Sequence, residues 1–255
     1  MKKILSFAVL IALTALWCSC EKVPEEEKKD SDSYRVAIPE AVDLGLSVKW
    51  ASFNLGASKP EEYGDFFAWG EIAPHYISGS VQQENPVWKS GKESGYDWQS
   101  YQWCVGSNTK LTKYCSFSNF GNNGFKDGKT ELDKEDDAVI QSLGGKWRMP
   151  TYDDYYELSN NCTWEQTSIN GVNGRKVTGP NGNSIFLPAT GYWHQGIVWD
   201  LKGQVGYYWS SSVVHLDFYE PDCSWCFGFD NTDKISPGRR LCERSSGLPI
   251  RPVCN

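Results

Sequence analysis

Away from its N-terminus, the chain carries one closely spaced cysteine pair, Cys223-Ser224-Trp225-Cys226. That spacing suits redox or metal chemistry, but thioredoxin-type reactivity needs the pair to open a helix, where the dipole lowers the thiol pKa. Here the pair follows Pro221-Asp222 and runs into Phe227-Gly228-Phe229, which reads as an aromatic strand. Zinc would need a matching second pair, and Cys242 and Cys254 stand apart. Cys223 and Cys226 are therefore read as a packed or disulfide-bridged pair. With only His75, His194 and His215 present, acid–base work would have to draw on carboxylates. Asp65 and Glu71 read as turn or network residues, and no Gly-x-Ser-x-Gly elbow surrounds Ser210. No catalytic residue, metal site or cofactor is assigned.

Twelve tryptophans, thirteen tyrosines and eleven phenylalanines offer a different chemistry, stacking against sugar rings. Most large aromatics serve as core anchors. Trp193 and Trp199, set among Gly191, His194, Gln195 and Gly196, are the candidate ligand-stacking pair. Calcium-dependent sugar binding would call for a Glu-Pro-Asn or Gln-Pro-Asp loop followed by Trp-Asn-Asp. Glu220-Pro221-Asp222 is near the first, but the next tryptophan is Trp225, before Cys226. One such loop cannot supply the roughly six to eight oxygens calcium takes. The net charge of −7 and the lack of any basic run argue against a nucleic-acid partner.

The N-terminus carries a separate message. Lys2 and Lys3 precede an apolar run from Ile4 to Trp17, which stops at Ser19-Cys20. The layout is that of a secretory signal over residues 1–19. It resembles a bacterial lipoprotein signal, with Trp17 at the outer lipobox position where Leu is usual. The resemblance implies lipid attachment at Cys20, and two or three acyl chains on one residue anchor stably, at about 0.8 kcal/mol per buried methylene. Residues 20–35 then read as a flexible acidic tether. Glu25-Glu26-Glu27, Lys28-Lys29 and Asp30 leave too little apolar surface to offset chain ordering. An acidic stretch after a lipidated cysteine is also similar to the surface-export signal of Bacteroidetes lipoproteins. That implies an outer-membrane lipoprotein exposed at the cell surface.

Residues 36–255 are enough for one domain, and 24 glycines with only two methionines suit strands and turns better than long helices. Leu44, Leu46, Val48 and Trp50 alternate as on a half-buried strand, and Asp65 to Glu71 reads as a second, aromatic strand. Residues 72–125 read as a loop-rich insertion with short strands near Tyr101 and Leu111. Two helices are expected. One spans Asp133 to Leu143 and stops at Gly144-Gly145; the other is capped by Thr151, with Asp153 and Asp154 in its first turn. Asn170-Gly171, Asn173-Gly174 and Asn181-Gly182 read as hairpin turns around strands at 175–178 and 184–188. Further strands are expected at 206–210, 224–229 and 248–253.

Six blocks carry a family resemblance. They are Val42 to Ala51, Tyr63 to Glu71, Lys146-Trp147-Arg148-Met149-Pro150-Thr151, Leu187 to Tyr192, Tyr208-Trp209-Ser210-Ser211-Ser212, and Gly247 to Val253. Together they resemble the Fibrobacter succinogenes major paralogous domain family, itself similar to the C-terminal domain of the Legionella collagen-like protein. More distant likeness runs to formylglycine-generating enzymes. The resemblance implies an α+β, C-type-lectin-like fold with short helices, twisted and mostly antiparallel sheets, and long loops. A β-sandwich is the alternative, distinguished by having no helix after Thr151. Within the blocks, Trp147, Arg148, Pro150, Trp209 and Arg251 read as scaffold. The implied function is a surface binding module for a glycan or a neighbouring surface protein. A structural or fimbrial-accessory subunit is the first alternative, and an enzyme of the formylglycine-generating type the second.

Overall fold

The computed structural model describes residues 36–76, 92–93, 95–194, 197–199, 201–214, 222–230 and 237–255, without the side chains of 76, 92–93 and 197–199. The signal, Cys20 and the acidic tether lie outside the described residues, as do His215, Glu220 and Pro221. The strands are β1 (Ala41–Val42), β2 (Lys49–Ala51), β3 (His75–Tyr76), β4 (Lys92–Glu93), β5 (Trp147–Arg148), β6 (Thr163–Ile169) and β7 (Val172–Thr178). They continue as β8 (Ser184–Pro188), β9 (Tyr192–His194), β10 (Ile197–Trp199), β11 (Val205–Val213), β12 (Cys223–Asp230), β13 (Gly238–Glu243) and β14 (Val253–Cys254). Two α-helices, α1 (Ala138–Leu143) and α2 (Tyr152–Asn161), are inserted on either side of β5.

The architecture is mixed α+β and mostly antiparallel. One sheet runs β1-β2-β14-β5, a second β6-β7-β8 and a third β11-β12-β13, with two-stranded ladders β9-β10 and β3-β4. The last strand thus closes the sheet that the first strands open, with Val253 between Trp50 on β2 and Arg148 on β5. A helix does follow Thr151, so the all-β alternative does not hold.

Local chemistry explains most of these elements. Thr151 accepts from the Asp154 amide while Asp154 bonds back to the Thr151 backbone, a capping box that fixes the start of α2. The expected Asp133–Leu143 helix is split. Lys134–Asp136 is a 3₁₀ turn, and α1 starts only after Asp137, which accepts from the Val139 and Ile140 amides. Asn170 and Gly171 both adopt positive φ (50° and 83°), the type I′ geometry that joins β6 tightly to β7.

Three expectations are corrected. Asn173-Gly174 lies inside β7 rather than at a turn; a Cβ on Gly174 would sit 2.3 Å from the Leu187 carbonyl, so glycine serves close strand approach there. Leu44, Val48 and Trp50 are buried as alternation predicts, yet the ladder starts only at Lys49, because Gly45 takes a φ of 77° and bends the chain. Asp65–Glu71 is buried throughout and forms one isolated bridge, Phe67 to Leu248, instead of a ladder.

The third sheet divides the core. On one face of β11 and β12, Trp209, Val213 and Cys226 join Trp69, Trp147, Met149 and Ile250. On the other, Tyr208, Phe227 and Phe229 join Trp50, Tyr155, Leu158 and Leu187. A third cluster gathers Phe66, Tyr96, Tyr101, Leu111, Cys115 and Trp193. The described part of 72–125 therefore sends Tyr96, Tyr101, Leu111 and Cys115 into the core, and the strands expected near Tyr101 and Leu111 reduce to the isolated bridges Cys104–Leu111 and Leu111–Gly121.

Candidate functional site: an aromatic cleft beside α2

Two periodicities meet at the cleft. On β12, Trp225, Phe227 and Phe229 alternate onto one face. On α2, Tyr155 turns inward, while Tyr152 and Tyr156, four residues apart, share the outer flank. The inner part is core: Tyr155 lies flat on Phe227 with centroids 4.8 Å apart at 4°, and Trp164 of β6 covers Phe227 at 5.4 Å. Toward solvent the same stripe stops being covered. Tyr152 meets Trp225 at 5.0 Å and stacks on Tyr156 at 6.4 Å, and Tyr156 is 57% exposed.

Arg239 completes the wall from β13. It stands opposite Phe227 in the ladder, and its guanidinium lies 5.2 Å from the Tyr152 ring and 5.9 Å from Trp225. These rings, with Ser159 and Asn160 also in the lining, border a cavity of about 150 Å³.

The walls are held from behind. Arg148 reaches from β5 to Asp154 at 2.7 Å and to the Met149 carbonyl at 2.9 Å, fastening the cap of α2 to the sheet. The Tyr152 amide donates to Ser212 at 3.0 Å, and Ser210 donates to the Trp225 carbonyl at 2.7 Å. Trp147 and Trp209 are buried in the first core cluster, and the Pro150 carbonyl receives the Ser211 amide. Arg251 is fully buried and donates to Asn54, Ala51 and Phe186 at 2.8–3.0 Å; burial lowers its pKa to about 10. Ligand-facing side chains thus project from a helix and two strands rather than from loops.

A disulfide braces the same strands, and it is not the one the spacing suggested. Cys226 is bonded to Cys242 of β13, with Cα atoms 6.1 Å apart. Cys223 and Cys226 lie three residues apart on an extended strand, so they point to opposite faces about 10 Å apart, beyond the roughly 7 Å a disulfide spans. The pairing depends on the β12–β13 register, which places Cys242 opposite Ser224. No cysteine spacing in the sequence encodes that register.

Of the tryptophan pair, Trp193 is corrected as well. Trp193 is 2% exposed, exchanges two 2.9 Å backbone hydrogen bonds with Gly247, and its ring packs against Tyr96 at 5.9 Å. Any ligand is shut off from its faces. Trp199 sits on β10 opposite Tyr192, and its side chain lies outside the described residues. Sequence reasoning missed Tyr152, Tyr156 and Arg239; the four-residue tyrosine spacing after a legible helix cap was the available signal.

A second, more polar cavity of about 360 Å³ is lined by Tyr192, His194, Tyr207, Asp222, Cys223 and Glu243 among others. Its histidine does not form a nucleophile relay. Ser246 at 3.1 Å and Glu243 at 3.8 Å both approach Nδ1, whereas a relay needs base and orienting acid on different ring nitrogens. Glu243 and Asp222 are engaged by Trp98 and Asn108. Among the described residues, no group of three or more His, Cys, Asp or Glu side chains is placed to hold a metal ion.

Comparison of the chain with protein-family models, with curated proteins and with solved structures found no match.

Proposed function

We propose that this chain is a lipid-anchored surface binding module of C-type-lectin-like fold that recognises a glycan through the aromatic cleft beside α2. The observation that carries the reading is the wall of Tyr152, Tyr156 and Trp225 at the end of an otherwise buried stripe, where Tyr156 is exposed and the other two rings are half-buried beside Arg239. Uncovered aromatic faces around a small cavity with a polar rim suit the apolar face and hydroxyl edge of a sugar. The lipoprotein-like N-terminus and the six family-like blocks supply placement and fold for the proposal. The anchor in this proposal is lipid on Cys20; among the described residues no helix is long and apolar enough to cross a membrane. Mass spectrometry of the mature N-terminal peptide tests that part: acylated Cys20 supports it, and an unacylated start beyond Cys20 refutes it. For recognition, the full-length protein is screened on a glycan array. A hit weakened at least tenfold by Tyr156→Ala supports the cleft, and a screen without hits, or hits indifferent to that change, refutes it.

One observation favours the structural-subunit reading as the second choice. No described strand pairs with the outer edge of β6. The hairpin closes on Ile169 opposite Val172, so Trp164, Gln166 and Ser168 direct their backbone groups away from β7. Such an edge can accept a strand from another chain. Concentration-dependent assembly abolished by Gln166→Pro, which removes a central edge donor, would favour it over the glycan reading.

A further inference from the structure

Among the described residues, the cleft carries one charge with no counter-charge. Among the described residues that line it, Arg239 alone is ionised, and its guanidinium makes no ion pair with any described carboxylate. The buried arginines behave differently. Arg251 spends its donors on Asn54, Ala51 and Phe186, and Arg244 spends its own on Cys223, Ser224 and Tyr114. Two charged pairs near α2 are engaged elsewhere. Arg148 holds Asp154, and Glu157 holds Ser47. Arg239 is exposed, its guanidinium over two rings, and makes no described side-chain hydrogen bond.

Resting on the glycan reading above, we infer that the cleft selects an acidic sugar, a pyranose bearing a carboxylate or a sulfate, with Arg239 as the residue that reads the charge. Stacking leaves the planar fork of an arginine pre-set, so two parallel N–H groups can meet two anionic oxygens with little further ordering. The rings take the apolar face of the sugar, and the fork takes its charged substituent. In a chain of net charge −7, a general attraction for anions is absent, so discrimination falls to this one local cation. A neutral sugar satisfies the rings and leaves the guanidinium to water.

The test uses the full-length protein and size-matched oligosaccharides in three forms: neutral, uronate-bearing and sulfated. The expected result is that at least one acidic form binds about tenfold more tightly than the neutral form, with the advantage shrinking as salt rises. Arg239→Gln should erase that advantage, so that neutral and acidic forms bind alike, while Arg239→Lys should keep part of it. The better of the two acidic forms identifies which anion is read. Equal affinity for neutral and acidic forms, or an advantage that survives Arg239→Gln, overturns the inference while neutral binding that still responds to Tyr156→Ala leaves the cleft reading standing. Failure of all three forms to bind overturns both.

Discussion

The aromatic stripe shared by α2 and β12 has a covered half and an uncovered half, made of the same residue types. In the covered half Tyr155, Phe227 and Phe229 are closed over by Trp50 and Trp164. In the uncovered half Tyr152, Tyr156 and Trp225 have the same helix and strand behind them, but only Arg239 and solvent in front. The strand continues past its aromatic lid: β6 contributes Trp164 over Phe227 and Phe229, whereas Trp225 is met by Arg239 and stays half-buried. A ring covered on both faces can only stabilise, whereas a ring covered on one face has the other free for a ligand.

Substitutions should separate the halves. The largest effect is expected from Phe227→Ala, which empties space among Tyr155, Trp164 and Phe229 and should cost about 3–5 kcal/mol of folding free energy in a denaturant melt. Removing the brace behind the cleft comes next. Cys226→Ser with Cys242→Ser opens a loop of sequence separation 16, worth about 3 kcal/mol on chain-entropy grounds, and should loosen Trp225 against Arg239. A thermal melt and a binding titration would show both consequences. Tyr155→Phe should instead be neutral or stabilising by about 1 kcal/mol, since the Tyr155 hydroxyl is buried without a hydrogen-bond partner among the described residues. A destabilised Tyr155→Phe protein would show that the buried half depends on a polar contact as well as on packing. Tyr156→Ala should change stability by no more than about 0.5 kcal/mol, as befits an exposed ring, while removing glycan binding.

The far end of α2 adds a pH test. Cys162, the residue that ends the helix, has its thiol pushed up from 9.0 to about 11, chiefly by burial and further by the Glu157 carboxylate. Its folded pKa is raised, so the unfolded chain releases the proton first. The stabilisation is fully present below pH 9.0 and is lost as pH rises to about 11. Urea melts across that window should show a decline that Cys162→Ala diminishes, and the wild-type thiol should alkylate slowly at pH 8.

How much of this was legible in the sequence follows the range of the interactions. The Thr151 cap, the Asn170-Gly171 turn and strand Ser184–Pro188 depend on residues close in the chain, and each could be read directly. The mixed α+β class followed from them. Features that depend on which distant segments meet could not be read. Trp193 is buried because Gly247 and Tyr96 close over it, and Cys226 finds Cys242 because of the β12–β13 register. The cleft has the same origin. Tyr152 and Tyr156 announce a helix flank, but neither announces that Trp225 and Arg239 arrive beside it.

The most direct measurement is an equilibrium titration of the full-length protein with its best array ligand, wild type against Trp225→Ala, with a thermal melt of each. Trp225 is the ring at which the stripe passes from core to surface. Affinity should fall at least tenfold while the melting temperature drops by only a few degrees, with the same ligand bound normally by Tyr155→Phe. Unchanged affinity in a folded Trp225→Ala protein would contradict the assignment of the uncovered half as a binding surface.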